Sequence, residues 1–223
     1  MPDVAETPDY LVKFETLNLG GLDYRIRSLL DRQQFSDPDG TAERAGISSA
    51  SWPLFGLVWP SAQILARAMQ TFDIAGKRIL EIGCGLGLAS LVLQRRGANI
   101  TASDIHPMAA AFLAENLRLN QLATMRFQTG SWADPDPGLG KFDLIIGSDL
   151  LYERDQPDIL SSFIDRHSHH RVEVVIVDPD RGNRTRFNRC MNDLGYVHDE
   201  QRADGQLANG APYKGRFLNY RRG

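Results

Sequence analysis

From Lys77 onward the chain alternates short apolar runs with helix-forming stretches, and that rhythm leaves few folds open to it. Arg78–Ile82, Asn99–Ser103, Met125–Gln128, Phe142–Ile146 and Val172–Val177 each read as a strand. Runs that are apolar almost throughout, instead of on alternate residues, belong to a parallel sheet covered on both faces. Leu88–Arg96, Pro107–Asn120, Ile159–Arg166 and Thr185–Leu194 read as the covering helices. In the last of these, Phe187, Cys190, Met191 and Leu194 are expected to face inward, with Gly195 as the C-cap. Tyr196–Gln201 and Gly215–Tyr220 form two final strands joined by the loop ADGQLANGAPY. An α/β alternation that ends in a hairpin predicts a doubly wound, mostly parallel sheet with an antiparallel edge.

The segment ahead of this core obeys a different period. In LVKFETLNLGGLDYRIRSLL at 11–30, apolar residues recur every second position on both sides of Gly20–Gly21, which predicts a β-hairpin. FSDPDGTAERAGISSAS at 35–51 is poor in large apolar groups and reads as a loop. WPLFGLVWPSAQILARAM at 52–69 opens a helix, with Pro60 in its first turn and Ile64, Leu65, Ala68 and Met69 on one face. Residues 1–60 are therefore expected to be a hairpin and loop packed on a domain at 61–223, the two making one structural unit.

Composition narrows the class. A chain of 223 residues suits one domain, and 42% apolar with 24% charged residues excludes a disordered or fibrous protein. The net charge of −3 argues against a dedicated nucleic-acid binder. Two cysteines, Cys84 and Cys190, allow no disulfide framework and point to a reducing, cytoplasmic setting. The start, MPDVAETPDY, resembles neither a signal nor a transit peptide, and no apolar run reaches membrane-spanning length. Residues 181–223 carry nine Lys/Arg against four Asp/Glu, which makes either a docking face for an acidic partner or an ordinary solvated surface.

The strongest chemical signal is ILEIGCGLG at 79–87, a strand running into a glycine turn and a helix. Gly83 and Gly85 let backbone approach a ligand closely. A dinucleotide fingerprint would read G-x-G-x-x-G and would present a pyrophosphate. Here the spacing is G-x-G-x-G and Glu81 stands in the lead, where a carboxylate would repel phosphate but attract an ammonium group. S-adenosylmethionine has no phosphate and carries an amino-acid head, so it fits better than NAD. Asp104 ends the next strand in NITASD, followed by Ile105; its carboxylate suits either two ribose hydroxyls or an N-cap. Trp132, in GSWAD, stands ready to stack on an adenine ring or to join the core.

Further chemistry gathers at the same rim. The fourth strand ends in GSDLLYE, with Asp149 and Tyr152 beside the crevice, or as a helix cap and a part-buried tyrosine. DPDR at 178–181 either shapes a substrate pocket or forms a salt-bridged turn. HSHH at 167–170 looks metal-binding but lies away from the crevice, so a surface cluster at a helix C-terminus is expected and no metal site. Cys84 has no histidine near it in sequence and reads as a packing residue within the glycine turn.

ILEIGCGLG, TASD and FDLIIGSDLLYE together resemble the class I, seven-β-strand, S-adenosylmethionine-dependent methyltransferases. More narrowly, the chain is similar to the lysine methyltransferase group known as methyltransferase family 16, through the hairpin YRIRS, the segment GLVWPSAQILA, Trp132 and the D-x-x-Y element Asp149–Tyr152. The resemblance implies a Rossmann-like seven-stranded sheet with an antiparallel last strand. It also implies cofactor contacts from Trp59, Glu81, Gly83, Cys84, Gly85, Gly87, Asp104, Ile105, Trp132 and Ser148, and an acceptor channel lined by catalytic Asp149 and Tyr152. The implied reaction is methylation of a protein lysine, by a chain that uses neither nucleic acid nor membrane and is expected to be a monomer. A branch that modifies the electron-transfer flavoprotein tends to carry D-P-G-R where this chain has DPDR, which leaves the acceptor open. A small-molecule amine N-methyltransferase and a non-catalytic nucleoside-binding module are the competing readings; intact Asp149 and Tyr152 speak against the second.

Overall fold

The computed structural model describes residues 9–134 and 138–223, so most of MPDVAETPDY falls outside the described residues. The hairpin forms as its alternation predicts: β1 (Val12–Leu19) pairs antiparallel with β2 (Leu22–Leu29) across Gly20–Gly21. Its inward residues Leu17, Leu19, Tyr24, Ile26 and Leu29 join the main core cluster. The outer edge of β2 is covered by two asparagines one turn apart on a helix. Asn116 Oδ1 accepts from Arg27 N at 2.7 Å and Asn120 Oδ1 from Arg25 N at 2.9 Å. Edge groups that would otherwise invite pairing with another chain are thereby satisfied. The 35–51 stretch is less irregular than its composition implies: it contains α1 (Thr41–Arg44), whose Ala42 and Glu43 N–H groups donate to the Asp37 carboxylate. A 3₁₀ turn at Trp52–Gly56 and α2 (Pro60–Ala68) follow, with Pro60 in the first turn.

The core continues β3 (Arg78–Ile82), α3 (Leu88–Arg95), β4 (Asn99–Asp104), α4 (Ala109–Leu119), β5 (Arg126–Thr129), β6 (Phe142–Ser148), α5 (Gln156–His167), β7 (Ser168–Asp178), α6 (Arg184–Asp193) and β8 (Val197–Arg202). A two-residue ribbon, β9 (Gly205–Gln206) with β10 (Pro212–Tyr213), leads to β11 (Arg216–Arg222). The seven-stranded sheet runs β5-β4-β3-β6-β7-β11-β8. Strands β3, β4, β5, β6 and β7 are parallel, whereas β11 is antiparallel to both its neighbours. The antiparallel strand thus lies one in from the edge, and β8 takes the edge itself. Cores fill both faces, one built from the hairpin, α2, α3 and α4, the other from α5 and α6. In α6, Phe187 and Met191 are buried as expected, while Cys190 and Leu194 are only half-buried.

The chain builds outward from β3 through β4 to β5, then returns to β6 on the other side of β3. That reversal opens a crevice at the C-terminal ends of β3, β4 and β6, where ligands bind in folds of this type. Away from it, the C-terminal excess of basic residues is largely spent on ion pairs. Arg184 and Arg216 meet Asp180 and Glu200, Arg186 meets Asp158, and Arg222 meets Asp165.

Candidate functional site

The crevice floor is the glycine turn after β3. Gly85 sits at φ +52°, and a Cβ there would lie 2.8 Å from the Phe55 carbonyl oxygen. Gly83 sits at φ +57°, where a Cβ would meet Leu150 at 2.6 Å and Trp132 at 3.4 Å. A side chain is strained by the conformation at both positions, and at Gly85 it would also run into fixed backbone.

Asp104 ends β4 beneath this turn. Its Oδ2 accepts from Gly85 N at 2.7 Å and its Oδ1 from His106 N at 2.9 Å. The N-cap role does not form, since α4 starts after Met108 with no side-chain cap; the carboxylate instead ties down the turn and still has acceptor capacity on both oxygens for a ligand's hydroxyls. Glu81 is placed differently. Its carboxylate is buried under α3, where it accepts from the Ser90 N–H at 2.7 Å and from the Ser90 hydroxyl. Neither Glu81 nor Gly87 lines the cavity described below. Gly87 instead caps α3 at φ +72° against Leu113.

Burial pushes the Glu81 carboxyl up to about 7, against the opposing Ser90 hydrogen bonds. A raised folded pKa means that this group's contribution to stability is complete below about pH 4.5 and is lost as pH rises through 7. Glu81→Gln is therefore expected to gain on the parent chain by on the order of 3 kcal/mol between pH 4.5 and 7.5, with no further change above. Urea midpoints of the two chains at those pH values check this; parallel pH curves would refute it. His106 acts in the opposite sense, since burial pulls its imidazole down to about 4 and its contribution is lost as pH falls below 6.5.

Trp59, Gly83, Cys84, Gly85, Asp104, Ile105, Trp132, Ser148, Asp149 and Tyr152 all line one cavity of about 490 Å³. Its walls also include groups that the sequence reading did not single out. His106 stacks on Phe55 with ring centroids 3.7 Å apart. Its Nδ1 accepts from Met108 N, which puts the proton on Nε2, a buried atom without a partner among the described residues. An orphaned donor beside a cavity fits a ligand bearing acceptor atoms. Ala45, Gly46 and Ile47 bring the 35–51 segment over the same space. Trp59 is fixed by Nε1 donating to Leu54 O at 2.7 Å, with the Arg32 guanidinium 4.8 Å from its ring.

The rim is a charged cluster. Asp149 leaves β6 at φ +58°, a left-handed conformation that Asp tolerates better than most residues, while its N–H still donates to Val177 O. The side chain is thereby turned into the cavity mouth, where Arg181 Nε donates to its Oδ1. Arg181 N in turn donates to the buried Asp178, whose carboxyl burial raises to about 6. DPDR is thus both pocket wall and salt-bridged turn. Asp180 also has a positive φ, +65°, and accepts from Arg184 and Arg216. A position that demands this conformation explains why glycine stands there in the D-P-G-R pattern and why Asp can replace it.

The histidine tract divides: His169 and His170 are exposed on β7, but His167 is buried, with Nδ1 2.8 Å from Gly140 O, and is not a surface residue. Among the described residues no group of three or more His, Cys, Asp or Glu is placed to hold a metal. Burial, with Asp104 and Glu81 nearby, pushes the Cys84 thiol well up, which suits packing and not nucleophilic chemistry.

Strand order, glycine turn and the carboxylate ending β4 define a Rossmann-like methyltransferase fold. The chain superposes on a T. thermophilus 16S rRNA methyltransferase determined with AdoMet and guanosine, at TM-score 0.64 and 17% identity, over 96% of this chain and 51% of that one. A family model described as lysine methyltransferase matches residues 51–192, and the chain belongs to that family. It is 32% identical over 143 residues to the electron transfer flavoprotein beta subunit lysine methyltransferase of Mus musculus, covering 62% of this chain and 55% of that protein. It is also 32% identical over 127 residues to the protein N-lysine methyltransferase METTL21A of Danio rerio, covering 51% and 57%. The chain thus spans about half the length of the curated relatives it matches.

Proposed function

We propose that this chain is an S-adenosylmethionine-dependent N-methyltransferase acting on a lysine side chain of a protein, in a cytoplasmic setting suited to its two free thiols. The observation that carries the reading is one cavity lined both by Asp104 with the glycine turn and by Asp149 with Tyr152. On this reading Asp104 accepts both ribose hydroxyls, Ile105 and Trp132 flank the adenine, and Trp59, Gly83 and Ser148 border the methionine end. Glu81 acts at one remove, holding the N-terminus of α3 through Ser90.

When bound, S-adenosylmethionine would supply an electrophilic methyl on a sulfonium, the carbon–sulfur electron pair returning to sulfur as an acceptor nitrogen takes the methyl. The acceptor must be neutral to attack. For a lysine of ordinary pKa near 10.4, losing the proton at pH 7 costs about 4–5 kcal/mol. The apolar wall of the site, with Leu57, Leu150 and the Trp59 ring, disfavours the charged form. Asp149 and Tyr152 orient the nitrogen, and holding it in line supplies most of the rate.

Incubation with radiolabelled S-adenosylmethionine, a lysate of the source organism and, separately, purified electron transfer flavoprotein beta subunit tests this. Label on a protein band, located by mass spectrometry on lysine Nζ, is expected. Label confined to small molecules would replace the reading with a small-molecule amine N-methyltransferase, which the polar rim of Asp149, Tyr152 and Arg181 also accommodates.

A further inference from the structure

Asp149 presents a difficulty for the chemistry just described. A lone carboxylate at the acceptor end would hold an incoming amine in its protonated, unreactive form. The structure supplies a counter-charge. Arg181 Nε lies 2.5 Å from Asp149 Oδ1, and its guanidinium carbon is 5.9 Å from the Tyr152 ring centroid. The Asp149 side chain is 12% exposed and that of Arg181 35%, so water screens the pair only in part. Trp59, Asp149 and Arg181 also wall a second hollow, of about 470 Å³, that borders Arg32, Pro60 and Asp180. The pair therefore stands between the cofactor cavity and an outer hollow through which an acceptor side chain can enter.

We propose that Arg181 is a positioning residue of the acceptor site: by pairing with Asp149 it cancels the charge of that carboxylate, so that the site orients an acceptor nitrogen without favouring its protonated form. The inference rests on the methyltransferase reading above. Other charged and titratable groups around the pair are Asp178, held by the Arg181 N–H, the Tyr152 and Tyr213 phenols, Glu153 in the cavity wall, Arg32 in the outer hollow, and Asp180, which is committed to Arg184 and Arg216. Arg181 is thus the cation bonded directly to Asp149 among the described residues. Arg181 is held at its backbone by its own amide on Asp178 and at its guanidinium by the Nε bond to Asp149, which keeps the neutralising charge beside that carboxylate.

The test needs no acceptor protein. S-adenosylhomocysteine has a neutral sulfur, whereas sinefungin carries an amine where the transferable methyl would be. The ratio of their affinities for the full chain, measured by calorimetry, reads the charge at the acceptor end. Arg181→Gln is expected to tighten sinefungin on the order of tenfold while moving S-adenosylhomocysteine by less than about twofold. Asp149→Asn, which leaves the guanidinium unpaired, is expected to weaken sinefungin by a similar factor, and Arg181→Lys to keep the parent ratio. A merely structural role would move both ligands together. An unchanged ratio in Arg181→Gln overturns the proposal; should that chain fail to fold, an unchanged ratio in Asp149→Asn does the same. Failure of the parent chain to bind either ligand would instead overturn the methyltransferase reading itself.

Discussion

Asp104→Ala is expected to abolish measurable binding of S-adenosylmethionine. The carboxylate at the end of β4 already accepts Gly85 N and His106 N, and it retains acceptor capacity on both oxygens. Two ribose hydroxyls bonded to a charged acceptor are worth roughly 1.5–3 kcal/mol each, so losing both costs on the order of 10²–10⁴ in affinity. The substitution also strands two backbone donors beneath the turn, which costs stability of about 1–3 kcal/mol apiece. Asp104→Asn separates the effects, because the amide keeps one acceptor oxygen and the side-chain volume. Calorimetry with the cofactor, beside circular dichroism and thermal melts of each chain, gives the result. Unchanged affinity in a folded Asp104→Ala chain would sink the ribose assignment.

Asp149→Asn and Tyr152→Phe are expected to separate chemistry from binding. Both residues line the cavity, Asp149 at the end of β6 and Tyr152 three positions on, in the segment before α5. Neither is bonded to Gly85 or His106, the groups that hold Asp104, so affinity for S-adenosylhomocysteine should stay within a few-fold. Turnover should fall by about 100-fold, the cost of an acceptor displaced by some 1 Å. Single-turnover transfer to the labelled acceptor, beside calorimetry, measures both quantities. Wild-type rates in both chains would make the two residues structural, and a parallel loss of cofactor affinity would move them to the cofactor site.

Much of this arrangement was legible in local patterns. The period-two hairpin, the apolar runs of β3, β6 and β7, Pro60 in the first turn of α2 and Gly195 beyond α6 follow from propensity and burial that act within a few residues. Asp104 and Asp149 were found because a parallel strand delivers its last residue to the crevice. The placement of Glu81 was legible too, but by alternation and not by its nearness to the glycines. Period two sets it on the face opposite Leu80 and Ile82, with Ile79, and so beneath α3.

What the sequence determined by itself is the hairpin, the main strands and helices of the core, the glycine turn after β3, and the carboxylate that ends β4. Each of these depends on backbone sterics or on side-chain period, and both are fixed by neighbours in the chain. Only the tertiary structure decided that β11 inserts between β7 and β8, that Arg181 pairs with Asp149 across 32 positions, and that His106 stacks on Phe55 beside a cavity roofed by the 35–51 segment. Those outcomes depend on strand pairing, charge partnership and burial between distant parts of the chain. Their free energies exist only once the sheet has closed, so no window of residues carries them.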